Sequence, residues 1–310
     1  MKTLVLDPMP ELFWQKIEKL GFTPHFITNP HQEISNIEII ILRTKTILTI
    51  QDLKKYPKLK MIIRAGSGFD NIDVEEALER NISVCTTPDA NAQAAFEHTI
   101  SLIMAMIKQH QIGKRNILVN NWKSDLVDSW EISDLKALIV GVGRIGTKVG
   151  NFLQKFGAEV KGVDPFLTED DFSNKGIRKI DYNSGLSWCN LITYHCPLYK
   201  ATRHYFSIES IDMVKNNFWL VNTARGGILQ KAAVLAGLKS RQILGLGIDV
   251  YDIEPPSPED YFNMDNVYLT PHIGAFTQKA KKRLVEETIT VWKKFVFEQK
   301  IINKINSKFI

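Results

Sequence analysis

A chain of 310 residues, 44% hydrophobic and 24% charged, has the composition of a soluble globular protein and more length than one core usually serves, so two domains are expected. Its formal charge of +5 is unevenly spread: from residue 279 onward there are nine Lys or Arg against three Glu, which leaves the rest of the chain close to neutral. Three cysteines, Cys85, Cys189 and Cys196, with no C-x-x-C spacing exclude a disulfide framework or a zinc cage, and the longest apolar run, "ISLIMAMI" at 100–107, is far short of the roughly 18 to 20 residues a membrane span needs.

The N-terminus "MKTLVLDPMP" has no signal-peptide pattern, so a cytoplasmic protein with no membrane partner is expected. Short apolar runs then alternate with helical or turn-rich stretches. Strands are predicted at "TLVLD" (3–7), "HFIT" (25–28), "EIIIL" (38–42), "KMIIRA" (60–65) and "ISVCTT" (82–87), with helices at 10–20, 49–55 and 73–80. Such alternation implies a parallel sheet covered on both faces, which makes one complete domain. A long helix is predicted from about Ala92 past Met106, followed by a polar connection, "NNWKSDLVDSWEISDL".

A second alternating series follows: "KALIVGVG" (136–143), "EVKGVD" (159–164), "LITYHCP" (191–197), "FWLVNTA" (218–224), "ILGLGIDV" (243–250) and "NVYLTP" (266–271). It predicts a second doubly wound sheet, so the fold class is α/β with two parallel-sheet domains. In the basic C-terminal segment Leu284, Thr288, Trp292 and Phe295, with Val285, Ile289 and Val296 beside them, recur at helical spacing. The charges there read as the wet face of an amphipathic helix, and a nucleic-acid partner is not expected.

Gly141, Gly143 and Gly146 form G-x-G-x-x-G directly after an apolar strand and at the opening of a helix. The first glycine permits a tight turn, the second lets the backbone approach a pyrophosphate and the third lets the helix pack on its strand. The helix N-terminus offers free N–H groups to the phosphates. The next strand ends at Asp164, 18 residues after Gly146, where a carboxylate can bind the adenosine ribose diol and repel a 2′-phosphate. NAD is therefore the expected cofactor, and no metal is expected.

Ligands of open α/β sheets bind beyond the carboxyl ends of the strands. Three polar segments lie there, "NTARGG" (222–227), "DVYDIEPP" (249–256) and "TPHIGA" (270–275), and they supply an arginine, a carboxylate and an imidazole. His195 also lies at a strand end and rivals His272 as a base. Imidazole titrates near neutrality, where it can move a proton in either direction, and a guanidinium fork suits a planar carboxylate.

With "RAGSGFDNID", "GVGRIG", "HCPL", "NTARGG", "DVYDIEP" and "TPHIGA" in this order, the sequence resembles the D-isomer-specific 2-hydroxyacid dehydrogenases over nearly its whole length. The resemblance implies that Arg225, Glu254 and His272 are catalytic, with Glu254 favouring the imidazolium. It implies a cofactor site of Gly141, Gly143, Arg144, Ile145, Gly146, Asp164, His195, Pro197, Thr202, Thr223, Ala224, Asp249 and Gly274. It also implies a flavodoxin-like substrate domain, 1–92 plus 273–310, and a Rossmann NAD-binding domain, 93–272, with the apolar helix near 100–107 buried either in a homodimer or in the cleft between domains.

Backbone N–H groups around Ser67 and Gly68 are expected to complete the carboxylate site, and Asn91 to bind substrate; the segments "LRTKTILT" and "IIRAGSGFDNID" resemble the phosphoglycerate dehydrogenase branch, which implies that Arg43 and Arg64, with Lys45 nearby, meet a substrate phosphate. The expected reaction is oxidation of D-3-phosphoglycerate to 3-phosphohydroxypyruvate, as in serine biosynthesis. No regulatory segment follows residue 310, so feedback through one is not expected. Two alternatives stand beside it: another 2-hydroxy acid such as lactate, glyoxylate or hydroxypyruvate, or an NAD(H)-sensing, corepressor-like binding protein.

Overall fold

The computed structural model describes residues 1–22, 25–26, 34–123, 126, 128–258 and 261–305. The chain divides into two compact units, Met1–Gln93 with Ala275–Ile310, and Ala94–Gly274. The first unit begins β1 (Thr3–Val5), α1 (Glu11–Glu18), β2 (His25–Phe26), β3 (Ile39–Leu42), α2 (Ile50–Leu53), β4 (Met61–Arg64), α3 (Val74–Glu79) and β5 (Ser83–Thr86). All five strands are parallel, in the order β2-β1-β3-β4-β5. That is the doubly wound order of flavodoxin-like sheets.

A strand covered on both faces reads as a continuous apolar run, and "IIIL" of β3 is fully buried throughout. Its side chains alternate between two cores. Ile39 and Ile41 join Val5, Met61, Ile63 and Phe13 on one face, whereas Ile40 and Leu42 join Leu4, Ile62, Val84 and Leu53 on the other. Residues 27 and 28 of the second expected strand, residues 124, 125 and 127 of the polar connection, and the chain end after 305 lie outside the described residues.

The second unit carries α4 (Ala92–Ile107), α5 (His110–Leu118), β6 (Lys136–Val140), α6 (Arg144–Lys155), β7 (Glu159–Val163), α7 (Glu169–Asn174), β8 (Arg178–Lys179), α8 (Tyr182–Trp188), β9 (Leu191–Tyr194), α9 (Ile208–Met213), β10 (Phe218–Asn222), α10 (Lys231–Lys239), β11 (Ile243–Ile248) and β12 (Val267–Leu269). Its seven parallel strands run β12-β11-β10-β9-β6-β7-β8. Counted within the unit this is the Rossmann order with one more strand at the far edge. The winding reverses between β6 and β9, and a crevice opens there beyond the strand ends.

The helix expected from about Ala92 past Met106 is α4, which ends at Ile107. Gln109 takes the left-handed conformation (φ 53°), and a separate helix, α5, starts at His110. The chain returns to the first unit as α11 (Gln278–Glu298), whose Leu284, Val285, Thr288, Ile289, Trp292 and Phe295 are buried, with Val296 packed at the margin of the same core. Trp292 donates its indole N–H to the Thr3 hydroxyl at 2.9 Å, which ties this helix to β1. Lys279, Lys281, Lys282 and Lys293 stay exposed, as the wet face of such a helix requires.

Candidate functional site

The turn after β6 packs closely against the loop that follows β9. Gly141 has φ +92°, and a Cβ there would stand 2.6 Å from the Cys196 amide nitrogen, so the loop after β9 passes directly against it. The His195 N–H donates to the Val140 carbonyl at 2.7 Å and continues that pairing past the strand ends. At Gly146 a Cβ would meet the Gly141 carbonyl oxygen at 2.0 Å, so only glycine lets α6 sit this close to its own turn. Arg144 and Ile145 form the first turn of α6, with Arg144 exposed and Ile145 packed at the margin of the core.

Gly143 differs from both. Its φ is −83°, and a Cβ there would meet nothing within 4 Å. Neither backbone conformation nor protein packing demands glycine at that position. A phosphate laid on the N–H groups at the start of α6 does demand it, so the site fits a dinucleotide.

Asp164 follows β7 and is drawn onto the same turn. Its carboxylate accepts the Val142 N–H at 3.1 Å and the Phe166 N–H at 3.1 Å, which fixes it beside the glycine loop. Lys161 turns elsewhere, lying 4.0 Å over the Trp188 ring and 3.6 Å from Glu159.

Across the crevice, Pro197 and Thr202 belong to one stapled loop: the Thr202 hydroxyl donates to the Pro197 carbonyl at 2.6 Å and accepts the Tyr199 N–H. His195 Nε2 lies 3.0 Å from the Thr193 hydroxyl, and burial pushes the imidazole down to about 3. This histidine is therefore neutral near pH 7, and the neighbour at its Nε2 is a hydroxyl.

His272 has the opposite setting. It follows β12 in a turn where it takes φ 53°, and Nδ1 lies 2.6 Å from Glu254 Oε2 with both side chains about one-third exposed. Burial acts to raise the Glu254 carboxyl. The His272 hydrogen bond, the Tyr251 N–H and the charges of His272 and Arg225 outweigh it and hold the group below its ordinary value. An ionised carboxylate only accepts, so Nδ1 carries a proton and Nε2 presents the lone pair in the neutral ring.

Arg225 is brought to this pair by its loop. Asn222 accepts the Ala224 N–H at 3.0 Å and donates to the Arg225 carbonyl at 2.7 Å, folding "NTAR" into a tight turn at the end of β10. The next residue, Gly226, lies so close to the loop after β11 that a Cβ would stand 2.0 Å from the Tyr251 carbonyl carbon. Thr223 shares a 2.7 Å hydrogen bond with Thr99 of α4.

Asp249 and Gly274 anchor the histidine turn. Asp249 is 1% exposed and accepts the Thr270 hydroxyl at 2.6 Å, the Ile273 N–H at 2.8 Å and the Gly274 N–H at 2.8 Å, with His98 Nε2 at 3.3 Å. Burial acts to raise this carboxyl, but those partners hold it below its usual range. A Cβ on Gly274 would stand 2.9 Å from Asp249 Oδ2, which accounts for the glycine. Sequence reasoning missed His98, Thr270 and Tyr251. Their only local signal is a polar side chain on or beside an apolar element.

In the first unit, Arg64 ends β4 and is 6% exposed, donating to the Thr44 hydroxyl at 3.2 Å. Its guanidinium fills the space beside Gly66 (φ +141°), where a Cβ would overlap it. Arg43 follows β3, one residue past the strand partner of Arg64, and donates to the Pro8 carbonyl at 3.2 Å. The loop carrying Arg43 is braced by Asp7, which accepts the Arg43 and Thr46 N–H groups, and by Asn71, which donates to the Arg43 and Thr46 carbonyls. Ser67 is exposed and Gly68 half-buried in the loop after β4, and Asn91 immediately precedes α4. Among the described residues no group of three His, Cys, Asp or Glu side chains could hold a metal ion, and no helix is long and apolar enough to cross a membrane.

Comparison with known proteins agrees with this geometry. Residues 100–274 match the family model described as D-isomer specific 2-hydroxyacid dehydrogenase, NAD binding domain. The chain is 32% identical over 287 residues to D-3-phosphoglycerate dehydrogenase of Methanocaldococcus jannaschii, covering 91% of this chain and 55% of that protein. It is 31% identical over 273 residues to hydroxypyruvate reductase of Thermotoga maritima, covering 85% and 88%. The chain thus spans about half the length of the phosphoglycerate dehydrogenases it matches. The crystal structure of D-lactate dehydrogenase from Aquifex aeolicus, complexed with NAD and lactic acid, superposes with a TM-score of 0.87 at 27% identity, covering 98% of this chain and 99% of that one.

Proposed function

The chain belongs to the D-isomer specific 2-hydroxyacid dehydrogenase family, and on that premise we propose that it interconverts a D-2-hydroxy acid and its 2-oxo acid with NAD, with Arg225, Glu254 and His272 as the catalytic residues. The observation that carries this reading is the 2.6 Å His272–Glu254 pair, near enough to Arg225 that its charge depresses the Glu254 carboxyl, at the strand ends of a sheet with a glycine-rich dinucleotide turn.

A nicotinamide dinucleotide held by the β6–α6 turn would supply the hydride acceptor or donor for the substrate. His272 Nε2 takes the hydroxyl proton in oxidation and returns it to the carbonyl oxygen in reduction, while Glu254 stabilises the imidazolium formed in between. Arg225 binds the substrate carboxylate and draws electron density toward the C2 oxygen through its fork of donors. Ser67, Gly68 and Asn91 of the first unit complete the proposed set of substrate-binding residues.

Among 2-hydroxy acids we favour D-3-phosphoglycerate, on the strength of Arg43 and Arg64 at adjacent strand ends in the first unit and of the relatives that bear that name. A hydroxypyruvate reductase of similar identity keeps the unphosphorylated acids as the second reading. Replacing His272 by Gln should lower kcat by about 10² or more while leaving NADH affinity intact. Near-normal kcat in that variant would remove His272 from the chemistry.

The homodimer is likewise a proposal. Ile117, Leu118, Val119 and Trp122, each more than 60% exposed, form a run of large apolar side chains at the end of α5 that self-association would cover. Sedimentation should give about twice the 35.4 kDa chain mass, and a single-chain mass at micromolar concentration would contradict it.

A further inference from the structure

Three loops carry the proposed catalytic residues, and Tyr251, outside that set, touches all three, its hydroxyl meeting the histidine turn and its main chain the other two. The Tyr251 hydroxyl donates to the Thr270 carbonyl at 3.0 Å, two residues before His272. The Tyr251 backbone N–H donates to Glu254 Oε1 at 3.1 Å, on the carboxylate whose other oxygen meets His272. The Tyr251 carbonyl carbon is the atom against which Gly226, next to Arg225, is packed without room for a side chain. The ring itself is wedged edge-on against Phe262 at 5.8 Å and lies at the margin of the unit's core.

We propose that Tyr251 is a positioning residue that fixes the separation of His272 and Glu254 by tethering the histidine turn to the loop that carries the glutamate. This rests on the catalytic assignment of His272 and Glu254 above. The turn needs such a tether: His272 adopts φ 53°, a conformation costly for a residue with a Cβ, and it persists only where surrounding bonds over-determine it. Asp249 holds the turn from its inner side through Thr270, Ile273 and Gly274. Tyr251 supplies the bond to the Thr270 carbonyl, and its own backbone N–H donates to Glu254. Burial pushes the phenol up to about 12, so the hydroxyl remains a donor throughout the range in which an imidazole base works.

Tyr251→Phe removes the hydroxyl and keeps the ring, so the packing against Phe262 and the Gly226 contact remain. The test measures kcat, KM for NADH and Tm for wild type, Y251F, H272Q and the double variant. The oxidant is whichever of pyruvate, glyoxylate, hydroxypyruvate and 3-phosphohydroxypyruvate is reduced fastest. The expected result is that Y251F lowers kcat about two- to tenfold, the worth of one net hydrogen bond, with KM for NADH unchanged. In the H272Q background the same change should cost nothing further, because its effect runs through the imidazole. An equal loss in both backgrounds would assign Tyr251 to general stability and overturn the proposal, as would wild-type kcat in Y251F. Near-normal kcat in H272Q alone would instead overturn the catalytic reading on which the proposal stands. A Tm drop with kcat retained would also count against it.

Discussion

The most heavily bonded side chain near the proposed base is Asp249, and its effect is exerted through others. Its two oxygens collect a hydroxyl and two amide N–H groups of the histidine turn, so its ionised form is part of the native structure. Because the folded carboxyl is held below the ordinary value of about 3.9, the unfolded chain binds the proton first on acidification. Its stabilisation is therefore complete above that value and is lost as pH falls through the lower folded one. Asp249→Asn should accordingly destabilise the protein near neutrality by about 1–3 kcal/mol, since at least one N–H of the turn loses its acceptor. The deficit should shrink below about pH 4. A constant deficit between pH 7 and pH 3 in chemical denaturation would show that the carboxylate charge plays no part.

At the scale of the element, the three glycines of the β6–α6 turn separate into two kinds. Gly141 and Gly146 are required by the protein's own backbone, at Cys196 and at the Gly141 carbonyl, whereas Gly143 faces open space. Gly146→Ala should cost about 1–3 kcal/mol of stability, because the helix must lift from its strand. Gly143→Ala should leave Tm unchanged and weaken NADH binding by about tenfold, because the methyl group stands where a pyrophosphate approaches. Titration of NADH fluorescence alongside thermal melts separates the two. Unimpaired NADH binding in Gly143→Ala would mean that the dinucleotide does not lie on this turn.

For the whole molecule, the parallel character of both sheets followed from alternation. Runs such as "IIIL" and "FWLVN" are buried on both faces, so their apolar continuity marks parallel strands before any contact is known. The strand-end motifs were equally legible, because G-x-G-x-x-G, "NTARGG" and "TPHIGA" each pair a glycine with a polar residue at the end of an apolar run. What the sequence hid was the bracing between loops. Asp249, Tyr251, Thr270 and His98 meet across separations of up to 172 residues along the chain, and no local pattern records which polar side chain will find which backbone group. The break at Gln109 was hidden for a similar reason, since a left-handed residue other than glycine leaves no mark in hydrophobic period.

Reduction of 2-oxo acids at these loops is read out by NADH consumption with pyruvate, glyoxylate, hydroxypyruvate and 3-phosphohydroxypyruvate. Turnover is expected, fastest with 3-phosphohydroxypyruvate. Turnover of the unphosphorylated acids alone would contradict the phosphate assignment of Arg43 and Arg64, and the absence of NADH consumption with all four would contradict the dehydrogenase reading itself.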